Sequence, residues 1–391
     1  MKTDLFILAF MILTGCNNPT VTNKVSLRSD NTFSETVRGF AEKKSDVSLL
    51  SAATGTEITS IPAGQKNTKP VRIIFDTDMD SDVDDVGALA MLNAMMDNGK
   101  VEILAVMVSS TCTASAACAD AINTFYGRPD IPIGIKKGKG VNRSNGYVDK
   151  VAEKFPHDLG NASDIPDAKS LYRKILSEQP DKSVRIVTVG YLSNLEDLLK
   201  TSADKYSKLN GRDLVKSKVS EFFCVGGKYP DDLSFEGNGN FEPDGKAVKY
   251  VNEYWPAMIT FIAGEQYFWD VKTGARLMKE SNMDRNPVAY AYKVFHDLVT
   301  WDTLDPEHHS ADQIGTYVAV NGFENKYTLT KTSGYFHIWD NGLCEWRTDS
   351  YTPLRRVSYS LKEPYKETAA NFAAEIGNLM LQKPKKTMFS K

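Results

Sequence analysis

Cysteine is sparse in this chain, with five in 391 residues. Cys112, Cys118, Cys224 and Cys344 form no Cys-x-x-Cys pair, and no histidine stands at zinc-ligand spacing from them. That excludes a zinc finger or ribbon and leaves a cysteine nucleophile without support. Cys118 lies six residues beyond Cys112, near an expected helix start, and buried free thiols are expected rather than a disulfide. An excess of positive charge is missing too. The 47 Lys and Arg against 50 Asp and Glu give a net charge of −3. Nothing in that balance calls for nucleic acid or an anionic membrane surface as partner. The local lysines at 136, 137 and 139 and at 383, 385 and 386 read as solvated faces. The N-terminal apolar run Leu5 to Leu13 is too short to span a bilayer as a permanent helix. No internal repeat is visible.

What is present is ordinary for a globular chain, 41% hydrophobic and 25% charged, and long enough to bury a large core. Lys2 followed by Leu5 to Leu13 suits the core of a signal peptide. The run ends in Leu13-Thr14-Gly15-Cys16, which resembles the lipobox of bacterial lipoproteins, although Asp4 departs from the usual basic start. That resemblance implies a signal peptide over residues 1–16, a lipid on Cys16, and a membrane-anchored protein facing the periplasm or the cell surface. Residues 17–69 are rich in Ser, Thr, Asn and Lys without a sustained period, and are expected to be a disordered tether. Residues 70–391 are expected to form one catalytic domain, with 321–391 as a C-terminal extension.

From Val71 the chain alternates strand-like and helix-like runs. Val71 to Phe75, Val101 to Val108, Ile131 to Ile135, Val184 to Val189, Val219 to Val225 and Ala257 to Ile262 read as buried strands. Helices are expected through Val86 to Met96 and Ala116 to Tyr126, and after Gly190 with Ser193 or Asn194 as cap. Such alternation implies an α/β fold, a mostly parallel sheet with helices on both faces. Tyr335 to Trp346, around Asp340-Asn341-Gly342, reads as a hairpin. Val357 to Leu361 and Glu367 to Leu381 suggest a further strand and a closing helix.

The densest chemistry lies between the first strand and first helix. Six aspartates fall within residues 76–85: Asp76, Asp78, Asp80, Asp82, Asp84 and Asp85. Two like charges about 4 Å apart repel by about 4 kcal/mol at an effective dielectric near 20. A loop held between two buried elements therefore suggests a hard-cation site at the C-terminal edge of the sheet. An EF-hand fails, because Ser81 and Gly87 stand where its glycine and glutamate belong. An aspartyl phosphatase of the haloacid dehalogenase type would use Asp76-Thr77-Asp78 but leaves Asp84-Asp85 unexplained.

Ile74-Phe-Asp-Thr-Asp78, followed by Asp84-Asp85 and Ala88-Leu89, resembles the signature of the inosine-uridine preferring nucleoside hydrolases. The loop is two residues longer than the usual Asp-x-Asp-Pro-Gly-x-Asp-Asp and lacks its Pro-Gly. The likeness continues in order through Leu104-Ala-Val106, Val189-Gly-Tyr-Leu-Ser-Asn-Leu195, Glu236-Gly-Asn-Gly-Asn-Phe-Glu-Pro-Asp244 and Ser310-Ala-Asp-Gln313. It implies hydrolysis of ribonucleosides to ribose and free base with a bound Ca2+. Asp78, Asp85, Asp312 and the Val189 carbonyl would hold the metal, and Asp78 would also serve as base. Asp84 would bind a ribose hydroxyl. The ribose-binding segment has two registers, one on Asn240 and one on Glu236 and Asn238, and both stay open. Thr111-Cys112 replaces the family's Gly-Asn, which leaves one ribose contact missing or moved to Ser110 or Thr111. His309, with His308 beside it, is the candidate acid for the leaving base. His157, His296 and His337 read as structural. Trp301, Trp339 and Tyr229 are candidates to stack on a base, though core packing is the commoner use of such residues. The partners implied are a small nucleoside or other ribosyl substrate, the membrane through the lipid anchor, and a second copy of the chain in a homo-oligomer. A hydrolase of another ribosyl substrate, and a calcium-stabilised binding protein without activity, are the rival readings.

Overall fold

The computed structural model describes residues 69–79, 81–160, 163–229, 231–232, 239–263, 269–280, 282–299, 307–323, 326–329, 334–348 and 354–385. Cys16 and residues 17–68 of the expected tether lie outside these, as do Asp80, Glu236, Asn238 and Trp301.

The chain runs β1 (Val71–Thr77), α1 (Asp84–Asp97), β2 (Val101–Val108), α2 (Thr113–Phe125), β3 (Ile133–Ile135), α3 (Tyr147–Lys154), α4 (Ala168–Ser177) and β4 (Val184–Thr188). It continues through α5 (Ser193–Leu199), α6 (Gly211–Lys218), β5 (Val219–Val225), β6 (Asp231–Asp232), α7 (Gly245–Tyr254) and β7 (Met258–Ile262). Next come β8 (Lys272–Thr273), α8 (Pro287–Leu298), β9 (His308–His309) and α9 (Ala311–Asn321). The last elements are β10 (Tyr327–Leu329), β11 (Tyr335–Ile338), β12 (Cys344–Arg347), β13 (Arg355–Leu361) and α10 (Tyr365–Met380).

Eight strands make the main sheet in the order β10-β13-β7-β5-β4-β1-β2-β3. Seven of them are parallel, and β10 pairs antiparallel with β13 at one edge. Successive strand residues face opposite sides, so a sheet covered on both faces needs continuous apolar strands. Ile73 and Phe75 join one core with α1, α2, α3, α8, α9 and α10. Ile74 joins the other with α4, α5, α6 and α7. Each such fully buried side chain contributes roughly 1.5–3 kcal/mol through removal from water. Helix α1 is buried from Asp84 through Met95, which explains why its apolar residues show no single stripe. Among the described residues, no helix is long and apolar enough to cross a membrane.

Several boundaries differ from the sequence expectation. The third strand is only Ile133–Ile135, since Pro132 has no N–H to give to a ladder. Helix α5 has Leu192 at its cap position and no side-chain cap. Ser193 instead donates to the Ser109 carbonyl at 3.4 Å, and the Asn194 amide donates to Asp76 at 3.2 Å. Tertiary partners have taken both side chains away from capping. The expected hairpin is β11 and β12, paired from Tyr335↔Arg347 to Ile338↔Cys344. Beyond it, β13 enters the main sheet parallel to β7. Cys118, Cys224 and Cys344 are buried and Cys112 is half-buried, all as free thiols. Burial pushes the Cys224 thiol up to about 12, so it is no nucleophile at neutral pH.

Candidate metal centre

The C-terminal ends of β1, β2 and β4 are stitched together before any acid is placed. The Val189 N–H donates to the Asp76 carbonyl at 2.8 Å, and the Ser109 N–H to the Thr77 carbonyl at 2.8 Å. Ser109 Oγ accepts from the Tyr191 N–H at 3.1 Å. A Cβ on Gly190 would lie 2.4 Å from Asp78 N and 2.8 Å from Ser109 Oγ. Only glycine lets this turn pass so close to the aspartate loop. Beneath the loop, Asp76 is fully buried and accepts from Tyr172 Oη at 2.8 Å and from Asn194. Burial outweighs those two donors and pushes its carboxyl up to about 8.

After Thr77 the chain bends through Met79, a buried residue in the left-handed region at φ 43. It then enters α1 with Asp84 and Asp85 in the first turn. Thr77 Oγ1 and the Met79 N–H both donate to Asp85 Oδ1, the latter at 3.1 Å. Asp312 lies in the first turn of α9, and its N–H donates to Asp84 Oδ2 at 3.1 Å. Two helix N-termini thus bring partial positive charge to the same acids. Carboxylate oxygens of Asp84, Asp85 and Asp312 all lie within 4.8 Å of one another.

That convergence is costly without a cation. Burial, then Asp78 and Asp84, push the Asp85 carboxyl well above its ordinary range. Burial, then Asp84, Asp85, Asp78 and Asp82, do the same to Asp312. Asp84 is raised by burial and by Asp82. The all-oxygen donor set and the mutual repulsion both fit a hard divalent ion. The Val189 carbonyl lies just beyond the C-terminal end of β4. It accepts from Asn240 Nδ2 at 2.9 Å, while the same amide donates to the Val225 carbonyl at 3.1 Å. A carbonyl oxygen has a second lone pair, so that bond leaves room for a cation. Asn240 thereby ties the ends of β4 and β5 beside the acids. The competing register on Glu236 and Asn238 falls outside the described residues.

Beside the acids, β9 pairs with β8 and presents His308 and His309. Both rings meet Asp82: His308 Nε2 contacts Oδ1, and His309 Nε2 lies 3.2 Å from Oδ2. Burial alone would raise the Asp82 carboxyl, but the two imidazoles hold it well below the ordinary range. His309, the acid expected from the sequence, is therefore committed to Asp82 through Nε2. The sequence alone assigns Asp82 no separate role. No motif marks it, and its partners lie more than two hundred positions away. Tyr172 was missed for the same reason.

Other expected contributors have packing or hydrogen-bond partners of their own. Tyr229 packs edge-on against Trp346 at 6.1 Å, and Trp339 packs against His337 at 4.4 Å. The Ser110 hydroxyl accepts from the Cys112 N–H, and Thr111 Oγ1 donates to the Val141 carbonyl at 3.2 Å.

No protein-family model matches the chain, and no curated protein matches its sequence. Solved structures do. A plant nucleoside hydrolase is similar with a TM-score of 0.60 and 17% identity, over 80% of this chain and 100% of that one. An inosine-uridine preferring nucleoside hydrolase from Bacillus anthracis is similar with a TM-score of 0.55 and 16% identity, over 77% and 98%. The type III effector XopQ, in complex with adenosine diphosphate ribose, is similar with a TM-score of 0.54 and 13% identity, over 81% and 95%. At these identities the likeness is one of fold, and the chain has the fold of the nucleoside hydrolases.

Proposed function

We propose that this chain hydrolyses the N-ribosidic bond of ribonucleosides, using a calcium ion held at the C-terminal edge of the sheet. The observation that carries the reading is the convergence of buried Asp84, Asp85 and Asp312 on one point of that fold. Asp78, Asp85, Asp312 and the Val189 carbonyl would hold the ion, and six to eight oxygens are what calcium takes. When bound, it supplies a template for water and ribose hydroxyls and lowers the pKa of that water.

The chain's own groups do the rest. Asp78 takes a proton from the attacking water, and Asp84 accepts a hydrogen bond from a ribose hydroxyl. As the C1′–N bond breaks, its electron pair leaves with the base and positive charge builds on the sugar. The surrounding carboxylates stabilise that oxocarbenium-like charge. Asn240 keeps the β4 and β5 ends in register, so the Val189 carbonyl stays aimed. The likeness to an effector that holds adenosine diphosphate ribose favours, as a second reading, a ribosyl substrate that also carries phosphate. The N-terminal resemblance supports export and anchoring through a lipid on Cys16, which Cys16→Ser would release from the membrane fraction.

Release of free base from inosine, uridine, adenosine and adenosine diphosphate ribose, with calcium and with chelator, tests the reading. Calcium-dependent release from a nucleoside supports it. Release from the diphosphate alone moves the substrate to the second reading. Calcium-dependent stability without turnover on any of the four would instead make this a binding protein.

A further inference from the structure

The acidic centre does not end at the three buried aspartates. Ligand atoms of Asp82, Asp84, His308 and His309 also lie within 4.8 Å of one another, so Asp84 belongs to both groups. We propose that these four side chains form a second cation site, chemically distinct from the first, which takes a borderline transition metal of the zinc class. The proposal rests on the geometry and needs neither the hydrolase reading nor any particular substrate.

Three observations carry it. The first is donor chemistry. Two imidazole nitrogens with two carboxylates are a set that suits zinc and its neighbours, whereas an all-oxygen set suits calcium. The second is placement. His308 and His309 are consecutive, and consecutive residues of an extended strand point to opposite faces. Here both Nε2 atoms reach the same carboxylate, with ring centroids 4.1 Å apart. The surroundings hold that arrangement: Phe295 packs edge-on against His308, Trp269 lies 4.5 Å from the His309 ring, and the Val83 N–H donates to Asp82 Oδ1 at 2.6 Å. Supporting contacts of this kind orient metal ligands.

The third observation is charge. Asp78, Asp84, Asp85 and Asp312 are buried, and the Asp82 side chain is 22% exposed. If all five carboxylates ionise beside neutral imidazoles, one dication leaves three negative charges uncompensated. A second dication leaves one. Asp82 stands in the stretch between Asp78 and Asp84 that is longer than the nucleoside hydrolase motif, and this gives the added length a purpose.

The test is calorimetric titration of the metal-stripped full chain with Zn2+ while calcium is saturating, repeated with Co2+ to read the visible absorption of nitrogen ligation. One equivalent of zinc beyond calcium, with a cobalt spectrum of mixed nitrogen and oxygen ligands, is expected. His309→Ala and His308→Gln should each keep calcium binding, which reports an intact fold, and weaken zinc by at least roughly 10–100-fold. No zinc uptake beside calcium would overturn the proposal and leave the pair as structural partners of Asp82. Zinc that binds both variants unchanged, or only in competition with calcium, would overturn it as well.

Discussion

The two edges of one parallel sheet treat buried charge in opposite ways. At the N-terminal edge, Glu221 on β5 accepts from Arg356 on β13 and from Thr260 on β7, and Arg356 Nε donates to Thr260 at 2.7 Å. Arg185 on β4 gives Nη1 to the Ala319 carbonyl at 2.8 Å. Arg355 donates to the carbonyls of Asn252 at 2.7 Å and Trp255 at 3.0 Å, at the end of α7. At the C-terminal edge, no lysine or arginine among the described residues pairs with Asp84, Asp85 or Asp312. The first edge is neutralised from within and is a structural feature. The second gathers acids that no such cation offsets, and that marks it as a candidate site.

Breaking the outward-facing edge should have the largest effect. Asp85→Ala is expected to lower ribose release by about 10³-fold, in the range of a lost electrostatic stabiliser. Steady-state turnover at saturating calcium checks this, and a loss under tenfold would remove Asp85 from the centre. Breaking the inward-facing edge should cost stability and not activity. Arg356→Ala strands Glu221 in a buried position and should lower unfolding free energy by about 3 kcal/mol, measured by urea denaturation. Calcium affinity should be unchanged in that variant.

Calcium itself should sharpen the contrast. At a hundred times its dissociation constant it should add about 2.7 kcal/mol to stability, and a chelator should remove that gain. Asp312→Asn should reverse sign between the two states. It relieves repulsion in the metal-free protein and loses binding in the loaded one, and thermal unfolding in calcium and in chelator reads both.

A pH-dependent effect belongs to Asp76. Its carboxyl is raised to about 8 in the fold from an ordinary 3.8, so the folded state holds a proton that the unfolded chain releases. That contribution is fully present below pH 4 and is lost as pH rises through 8. Asp76→Asn should flatten this decline, as followed by denaturation midpoints from pH 4 to pH 8.

Apolar runs such as Ile73-Ile74-Phe75 and Val101 to Val108 announced a sheet buried on both faces, because period-2 alternation fails only there. The pairing order was not legible. Nothing local in Arg355–Leu361 says that it crosses back to lie beside β7 rather than at the margin of a hairpin. At the centre, a cation site among six aspartates was readable, since like charges on a short loop between buried elements demand compensation, and the family resemblance singled out Asp78, Asp84 and Asp85 among them. Asp82 and Tyr172 were not, because their roles depend on partners that only the fold brings near. Ser193 and Asn194 show the converse error. Their types favour capping, yet Ser109 and Asp76 offered stronger tertiary use.

Calcium titration of the metal-stripped chain, with chelator-controlled ribose release measured on the same preparation, tests the central claim most directly. The account predicts saturable calcium binding that Asp85→Ala weakens, and turnover of a nucleoside that appears only as calcium binds. Turnover undiminished by chelator, in a protein that binds no calcium, would contradict it.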